Sequence, residues 1–475
     1  MEAKRTIKHS GKIFRDPIHG LIRIDPQDAF ILDLIDTPEF QRLRRIRQLG
    51  VSCLTYHGAE HSRFVHSLGV FNFAQRIVEV LRRRYRGDPV DKYLEQHERV
   101  IKAAALLHDI GHGPFSHVIE RAFESKTSHE TRTVRLVRDD SSAVHQILRD
   151  QASVDPGEVA SLIDHTSPHM LLTDIISSQL DADRMDYLLR DSYCTGVRYG
   201  QYDADWVMNA LCIGRSPDGG ASGDTESSQW RLCLDCRRAK GAVEQFLLAR
   251  AHMNEQVYFH RVTRGYEVLL LNLFKQAACA SDDETLPSGT PGVVAKFVSR
   301  QRDDFTTDDW LKFDEAACYT AFQSWTSGHE HADLAEFAIA FLNRKRMYSA
   351  APLLSGRSLL NLQTKLSDQS LRQGVDWEID DPTSSVYKGL HYAVQKSRDS
   401  EQIQNESILL ASGDPDEQGK PIEATSDLCR YLESQKSKSE RLYFKRALWP
   451  RFKPVFNDLS VKPYASPEEV VPCKS

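Results

Sequence analysis

Ala105-Leu106-Leu107-His108-Asp109-Ile110-Gly111-His112-Gly113 joins an apolar helical run to two adjacent metal-ligand side chains and then to two glycines. Leu106 and Leu107 fit a helix laid against a core, and His108 and Asp109 share its end. Adjacent helix residues diverge by about 100°, so both reach one cation only from the rim of a site, where a helix closing near Gly111 opens its backbone. Two further stretches carry ligand-type residues in dense context: Arg63-Phe64-Val65-His66-Ser67-Leu68-Gly69 and Asp181-Ala182-Asp183-Arg184-Met185-Asp186-Tyr187. His66 must come from a second helix and Asp183 from a third. Together His66, His108, Asp109 and Asp183 form a mixed nitrogen and oxygen set that suits a borderline or hard divalent cation. A lone His on an apolar helix is ordinarily a satisfied core residue; four such residues in these flanks are not.

Outward from this set the chain reads as mostly helical. Residues 12–24 form a short hairpin turned at His19-Gly20. Helices are expected at 27–35, 38–48, 62–86, 98–109, 116–124, 129–137, 142–149, 156–163, 171–191 and 203–211. The 62–86 segment is dense in apolar residues and reads as buried, closing on Arg82-Arg83-Arg84, where the helix dipole favours cations. Residues 215–229 are a polar Gly/Ser loop, and one long helix is expected over 238–278. The Ser-, Asp-, Gly- and Pro-rich stretch 280–292 marks a boundary. Beyond it come helices near 294–301, 307–327, 332–344 and 356–370, then a tail of mixed strand and helix.

Composition narrows the class. A chain of 475 residues exceeds what one core usually serves. With 40% hydrophobic and 27% charged residues it reads as an ordinary globular protein. A net charge of −6 gives no global pull towards nucleic acid. No apolar leader or membrane-length run is present, so a cytoplasmic location and no membrane partner are expected. The nine cysteines are odd in number and scattered, unlike a secreted disulfide framework. Cys233 and Cys236 lack a second pair and sit in an alternating, strand-like stretch, which argues against zinc.

Two helical rows and one cluster surround the metal set. Asp183, Tyr187 and Asp191 stand at i, i+4 and i+8, within about 80° of one helix face. Arg250, Asn254, Tyr258 and Arg261 form a similar row, with guanidinium groups suited to bidentate phosphate contacts. Alone, each row reads as a solvated face; beside the metal set, they wall a nucleotide site. His112, His117, Glu120 and His129 follow just downstream. A His near neutral pKa, oriented by a carboxylate, can protonate a leaving oxygen; His117 equally suits a phosphate ligand or a structural hydrogen-bonder.

These residues, with Phe14-Arg15-Asp16-Pro17-Ile18-His19-Gly20 and Asp36-Thr37-Pro38-Glu39-Phe40-Gln41-Arg42-Leu43-Arg44, resemble the HD-domain phosphohydrolases, in particular the SAM-and-HD-domain dNTP triphosphohydrolases and their bacterial relatives. The likeness is strongest over 12–265, and no SAM domain precedes it here. It implies a mainly α fold: an HD-domain helical core at 1–280 and a smaller α+β C-terminal region at 281–475, serving oligomerisation or regulation. It implies cleavage of a dNTP into deoxynucleoside and tripolyphosphate with a divalent ion (Fe, Mn, Zn, Ni, Co or Mg) on His66, His108, Asp109 and Asp183. His112 and His129 would transfer protons, with Glu120 orienting. Arg63, His117, Arg184, Tyr187, Arg250 and Arg261 would surround the triphosphate, while Gln48, Leu49, Asp191 and Tyr258 would line the sugar.

Some members of that family are activated by nucleotides between subunits. Lys12, Ile13, Asp36, Gln41 and Arg44 match that guanine-nucleotide pocket, which implies a GTP or dNTP activator and a homo-oligomer, dimer or tetramer. Asp36 can accept from both N–H groups of guanine's Watson–Crick edge; the plainer reading is a helix N-cap before Thr37-Pro38. Three positions depart from the family: Glu120 where relatives often have Asp, Arg184 for Lys, and Asn254 for His. Two competing functions are an HD phosphohydrolase for another nucleotide or phosphodiester, and a nucleic-acid-binding regulator using basic segments 42–47, 82–86 and 445–455.

Overall fold

The structure, a computed structural model, describes residues 11–115, 117–122, 128–217, 229–299, 305–327, 331–385, 387, 407–438 and 440–465. The chain opens with an antiparallel hairpin, β1 (Lys12–Asp16) and β2 (Gly20–Ile24), as its turn residues imply. Gly20 takes φ +69°, a left-handed value that glycine adopts without strain. Helices α1 (Ala29–Ile35), α2 (Pro38–Gln41), α3 (Arg63–Arg84), α4 (Pro89–Leu107), α5 (His117–Ala122), α6 (His129–Arg138), α7 (Ala143–Asp150), α8 (Pro156–Ile163), α9 (Met170–Ile176), α10 (Ala182–Thr195) and α11 (Ala204–Ala210) follow. The fold is mainly α, with small sheets.

α3 is the central rod. It is buried on nearly every side, from Phe64 to Leu81, and packs against α4 and α10. Those are the three helices that carry the metal-ligand candidates, so burial of α3 brings the site together.

Several expectations need correction; among them, the 98–109 helix begins at Pro89, and the 307–327 helix is two, Thr307–Lys312 and Glu315–Trp325, with Asp314 capping the second. The 38–48 helix is only the four-residue α2 followed by a 3₁₀ turn, Arg42–Arg45, which stops where Ile46 turns extended. Asp36 is no N-cap: it closes α1, and Thr37 caps α2 by accepting from the Phe40 N–H, with Pro38 in the first turn. The single 171–191 helix is two, because Asp181 accepts from the backbone N–H groups of both Ser178 and Arg184 and restarts the chain as the cap of α10. The long 238–278 helix also breaks. It runs as α12 (Lys240–Met253), a π-helical turn at Asn254–Tyr258, and α13 (Arg261–Asp282), with His260 capping the restart.

Between α11 and α12, β3 (Leu211–Arg215) and β4 (Trp230–Asp235) pair antiparallel; residues 218–228 of the polar loop joining them lie outside the described residues. Cys233 is buried against Cys212, Leu409 and Ala411, whereas Cys236 is exposed, so the Cys-x-x-Cys spacing forms no site. Past residue 280, α14 (Gly292–Val298), α15 (Thr307–Lys312), α16 (Glu315–Trp325) and α17 (Ala332–Leu342) continue the bundle. The main apolar cluster runs from Ile22 to Tyr443 and includes side chains from both sides of 280–292. A strand at Leu409–Ala411 also pairs parallel with β4. A second, smaller core gathers Leu362, Leu366, Leu442, Phe444, Phe452 and Phe456 beneath the three-stranded sheet Tyr348–Pro352, Arg441–Lys445, Trp377–Asp380. This is the mixed α and β tail. Among the described residues no helix is long and apolar enough to cross a membrane.

Candidate metal centre and active site

His66 sits in the first turn of α3, His108 and Asp109 just past α4, and Asp183 in the first turn of α10. Their polar atoms converge. His66 Nε2 lies 3.0 Å from Asp183 Oδ1 and 3.8 Å from Asp109 Oδ2; His108 Nε2 lies 3.7 Å from Asp183 Oδ1 and 3.4 Å from Asp109 Oδ1. His66, His108 and Asp109 offer ligand atoms all within 4.8 Å of one another.

The donor set fits a divalent cation on its own chemistry. The His108 Nδ1 lies 3.0 Å from the Ala105 carbonyl, which requires the proton on Nδ1 and leaves Nε2 as an acceptor. That Nε2 is buried and has no hydrogen-bond partner among the described residues. His66 likewise turns Nδ1 to Asp186 Oδ2 at 2.8 Å and Nε2 to the cluster. Two imidazole Nε2 atoms and two carboxylates therefore converge, a donor set that suits a divalent site. Burial opposes charge on Asp109, but Arg63, His108 and His112 hold its carboxyl well below the usual range. Burial also opposes a proton on His66; hydrogen bonds to Asp183 and Asp186 prevail and lift its pKa to about 10. In the metal-free protein His66 is thus a proton site that a cation must displace.

The proton-transfer candidates lie against this centre. His112 Nε2 is 3.3 Å from Asp109 Oδ1, and the His112 and His129 rings stack with centroids 3.8 Å apart. Glu120 Oε1 is 3.6 Å from His129 Nδ1 and 3.3 Å from Arg132 Nη1. Burial first, then the Arg63 and His129 charges, push the His112 pKa well below its ordinary value. Gly111 makes the approach possible: a Cβ there would meet the His129 carbonyl at 2.4 Å and the Thr133 nitrogen at 2.3 Å. His117 opens α5, but its side chain lies outside the described residues.

The two helical rows meet in part. The Tyr258 hydroxyl donates to Asp191 Oδ2 at 2.8 Å, and Tyr187 and Tyr258 stack edge-on at 6.3 Å. Arg250 is buried and donates to Gln179 Oε1 at 3.0 Å. Arg63 donates to Asp109 Oδ2 at 2.5 Å, and Arg184 pairs with Asp181. Gln48 keeps a buried Oε1 without a hydrogen-bond partner among the described residues, beside Leu49 at the cap of the next 3₁₀ turn. Arg261 departs from its row. The π turn breaks the helical spacing, and Arg261 donates to the Tyr464 carbonyl and lines a cleft with Tyr266, Arg346 and Tyr443.

Of the residues matched to an activator pocket, Gln41 donates to the Ile35 carbonyl beside Asp36 and accepts from Arg44, whose guanidinium lies 3.5 Å from the Phe64 ring centre. Lys12 and Ile13 stand on β1, Ile13 with its side chain exposed.

Sequence reading passed over the residues behind these groups. Asp186, Arg190, His19 and Asp16 form a buried network behind His66. His61 Nε2 holds Asp191 Oδ1 at 2.8 Å. Asp186 and Arg190 carried one signal, an i, i+4 pair of opposite charge, but that pattern is usually a surface pair. His61, 130 positions from its partner, carried none.

Known proteins show matching features. The HD domain profile matches residues 63–191. The uncharacterized protein YwfO of Bacillus subtilis is 39% identical over 334 residues, 70% of this chain and 70% of that protein. A deoxynucleoside triphosphate triphosphohydrolase of Gallus gallus is 28% identical over 298 residues; the match spans 56% of this chain and 46% of that one, less than half its length. The crystal structure of a phosphohydrolase from Bacteroides thetaiotaomicron superimposes with a TM-score of 0.69 at 25% identity, covering 92% of this chain and 99% of the other.

Proposed function

This chain belongs to the HD-domain phosphohydrolases, and from that membership we propose that it is a metal-dependent dNTP triphosphohydrolase. Water adds to the α-phosphorus, the bond to O5′ breaks, and deoxynucleoside and tripolyphosphate leave. The observation that carries the substrate choice is Asp191. It is a buried carboxylate held by His61 and Tyr258, two helical turns from Asp183 on α10. Eight residues of helix span about 12 Å, the scale separating a sugar hydroxyl from the phosphates beyond it. Each Asp191 oxygen keeps a lone pair for a hydroxyl.

His66, His108, Asp109 and Asp183 would hold the cation, which supplies Lewis-acid polarisation of a phosphate group. The residues do the rest. His112 and His129, in contact, hold the proton that O5′ takes as it leaves, and Glu120 orients His129. Arg63, Arg184 and Arg250 set positive charge along the triphosphate. Gln48, Leu49 and Tyr258 close around the sugar, where shape alone rejects an added hydroxyl by about a hundredfold. Lys12, Ile13, Asp36, Gln41 and Arg44 would take a guanine nucleotide activator in a homo-oligomer. Arg261, in its own cleft, is the least supported of the triphosphate contacts.

The nucleic-acid reading loses support where its basic segments meet carboxylates. Arg45 pairs with Asp314, Arg47 with Glu60 and Glu315, Arg82 with Asp91, Glu95 and Glu98, and Lys445 with Glu336. A phosphohydrolase of another nucleotide or a phosphodiester shares the same metal centre, so products separate the two. The test is incubation with each dNTP, singly and mixed, plus Mn²⁺ or Fe²⁺, with and without GTP, resolving phosphates by anion exchange. Tripolyphosphate with deoxynucleoside is expected; orthophosphate or pyrophosphate would replace the reading with the second.

A further inference from the structure

One imidazole in this molecule is gripped from both sides by a single helix. Asp183 and Asp186 stand three residues apart on α10 and straddle His66: Asp183 Oδ1 lies 3.0 Å from its Nε2, and Asp186 Oδ2 lies 2.8 Å from its Nδ1. Asp186 is fully buried, and its carboxylate is met by the side chains of His66, Arg190 and His19. Arg190 reaches it with Nε at 2.7 Å and Nη2 at 2.9 Å, and His19 with Nε2 at 2.7 Å. Arg190 in turn donates to both oxygens of Asp16, at 2.8 and 3.3 Å. Asp16 Oδ1 also accepts from the backbone N–H groups of Ile18 and His19, which shapes the hairpin turn. The hairpin β1–β2 is thereby tied through two buried groups to a ligand of the metal centre.

The arrangement is built into α3 as well. Gly69 lies one helical turn after His66, and a Cβ there would come within 1.9 Å of Asp186 Oδ1 and 2.5 Å of Arg190 Nη2. The side-chain volume missing at Gly69 is the space the carboxylate and guanidinium fill.

We propose that Asp186 is a positioning residue for the metal ligand His66, and that His19, Arg190 and Asp16 hold Asp186 in place, making the N-terminal hairpin a working part of the metal centre. The Asp186 carboxylate fixes the Nδ1–H tautomer and the ring angle, which turns Nε2 towards Asp109 and Asp183 as the atom that would bind a cation. It also raises the basicity of that nitrogen. Outer-sphere partners of this kind typically contribute about 10- to 100-fold in metal affinity. The inference rests on the metal centre alone and holds whatever the substrate is.

The test is metal affinity of the purified full chain, stripped with chelator and titrated with Co²⁺, following the visible absorption bands and competing with a chelator of known strength. Asp186→Asn is expected to keep its helical circular dichroism, to weaken Co²⁺ about 10- to 100-fold and to change the absorption bands. Asp174→Asn is the structural control, since it breaks the buried Arg231–Asp174 pair elsewhere in the fold. It should lower thermal stability and leave Co²⁺ affinity and spectrum as in the wild type. Wild-type affinity and spectrum in folded Asp186→Asn would overturn the proposal, as would an equal loss in Asp174→Asn. Should Asp186→Asn not fold, His19→Leu decides, because it leaves the Arg190–Asp186 pair intact. A weakened Co²⁺ affinity restored in His19→Gln, which keeps a donor, supports the inference; wild-type affinity in His19→Leu sinks it. Because no substrate enters the measurement, its outcome is independent of whether dNTPs are hydrolysed.

Discussion

His112 and His129 stack face to face, with ring centroids 3.8 Å apart and planes inclined by 17°. His112 is the buried member, and its burial, followed by the Arg63 and His129 charges, holds its pKa well below the ordinary value. A neutral His112 in contact with His129 gives a path along which a proton can reach a leaving oxygen. His112→Ala should lower kcat by about 10²–10⁴-fold with bound metal retained. His112→Ala/His129→Ala should cost little more than either single change, because the two act as a unit. Single-turnover rates beside metal analysis check this; fully multiplicative losses would separate their roles.

Metal binding should release protons. The metal-free His66 pKa is raised to about 10 by Asp183 and Asp186 against the effect of burial, so at pH 7 its imidazole is protonated and a cation must displace that proton. Affinity for Mn²⁺ or Co²⁺ should therefore climb as pH rises from 6 to 9. Calorimetry in buffers of different ionisation enthalpy counts the released protons, and a count of zero would contradict the assignment. Chelation should abolish hydrolysis reversibly.

Tyr258→Phe removes the hydroxyl that donates to buried Asp191. A hydrogen bond to a buried charge is worth about 1.5–3 kcal/mol, softened here because His61 remains. Denaturant unfolding should show a loss near the lower end of that range. If Asp191 and Tyr258 line a sugar, the ratio of kcat/KM for dNTP over NTP should fall in the same variant; a stability loss with unchanged discrimination would confine the pair to a structural role.

The His61–Asp191 pair makes stability depend on pH. Burial disfavours charge on His61, but hydrogen bonds to Asp191 and Cys194 outweigh it and raise the pKa to about 9. Because the folded value lies above the unfolded one of about 6.5, the stabilisation is complete below pH 6.5 and is lost as pH rises through 9. Thermal melting across pH 6–10 should show Tm falling in wild type by a component missing from His61→Gln. Parallel profiles for the two proteins would remove the pair as the cause.

Gly111→Ala should be severe. The added methyl meets backbone atoms of Thr133 and His129 at 2.3 and 2.4 Å, which no side-chain rotation relieves. Helix α6 must move, at about 1–3 kcal/mol for overpacking, carrying His129 away from His112. Activity should fall further than Tm would suggest, and a crystal structure of the variant would show the displaced helix.

How much of this was legible differs residue by residue. His66, His108, Asp109 and Asp183 could be picked out because ligand chemistry is a property of residue type, and His66, His108 and Asp109 adjoin apolar helical runs. α3 was legible for a related reason: Phe64 to Leu81 is dense in apolar residues, most of them buried, and a helix of that kind has one stable place. Breaks were harder. The chain leaves the helix at Ser177 and again at Phe259 because Asp181 and His260 cap new starts, and both changes lie inside stretches whose apolar spacing alone reads as unbroken helix. The departure of Arg261 from its row follows from the second break.

Periodicity and donor chemistry are local, so the order of residues alone points to a mainly helical fold, the hairpin at 12–24 and the side chains that can bind a cation. Packing in three dimensions fixes which nitrogen of His66 faces the cluster, that His112 touches His129, and that His61 and Tyr258 share Asp191. Those are distances between residues up to 130 positions apart, as for His61 and Asp191. They are set by how buried helices pack and how their buried polar groups must find partners, and no spacing along a single helix encodes them.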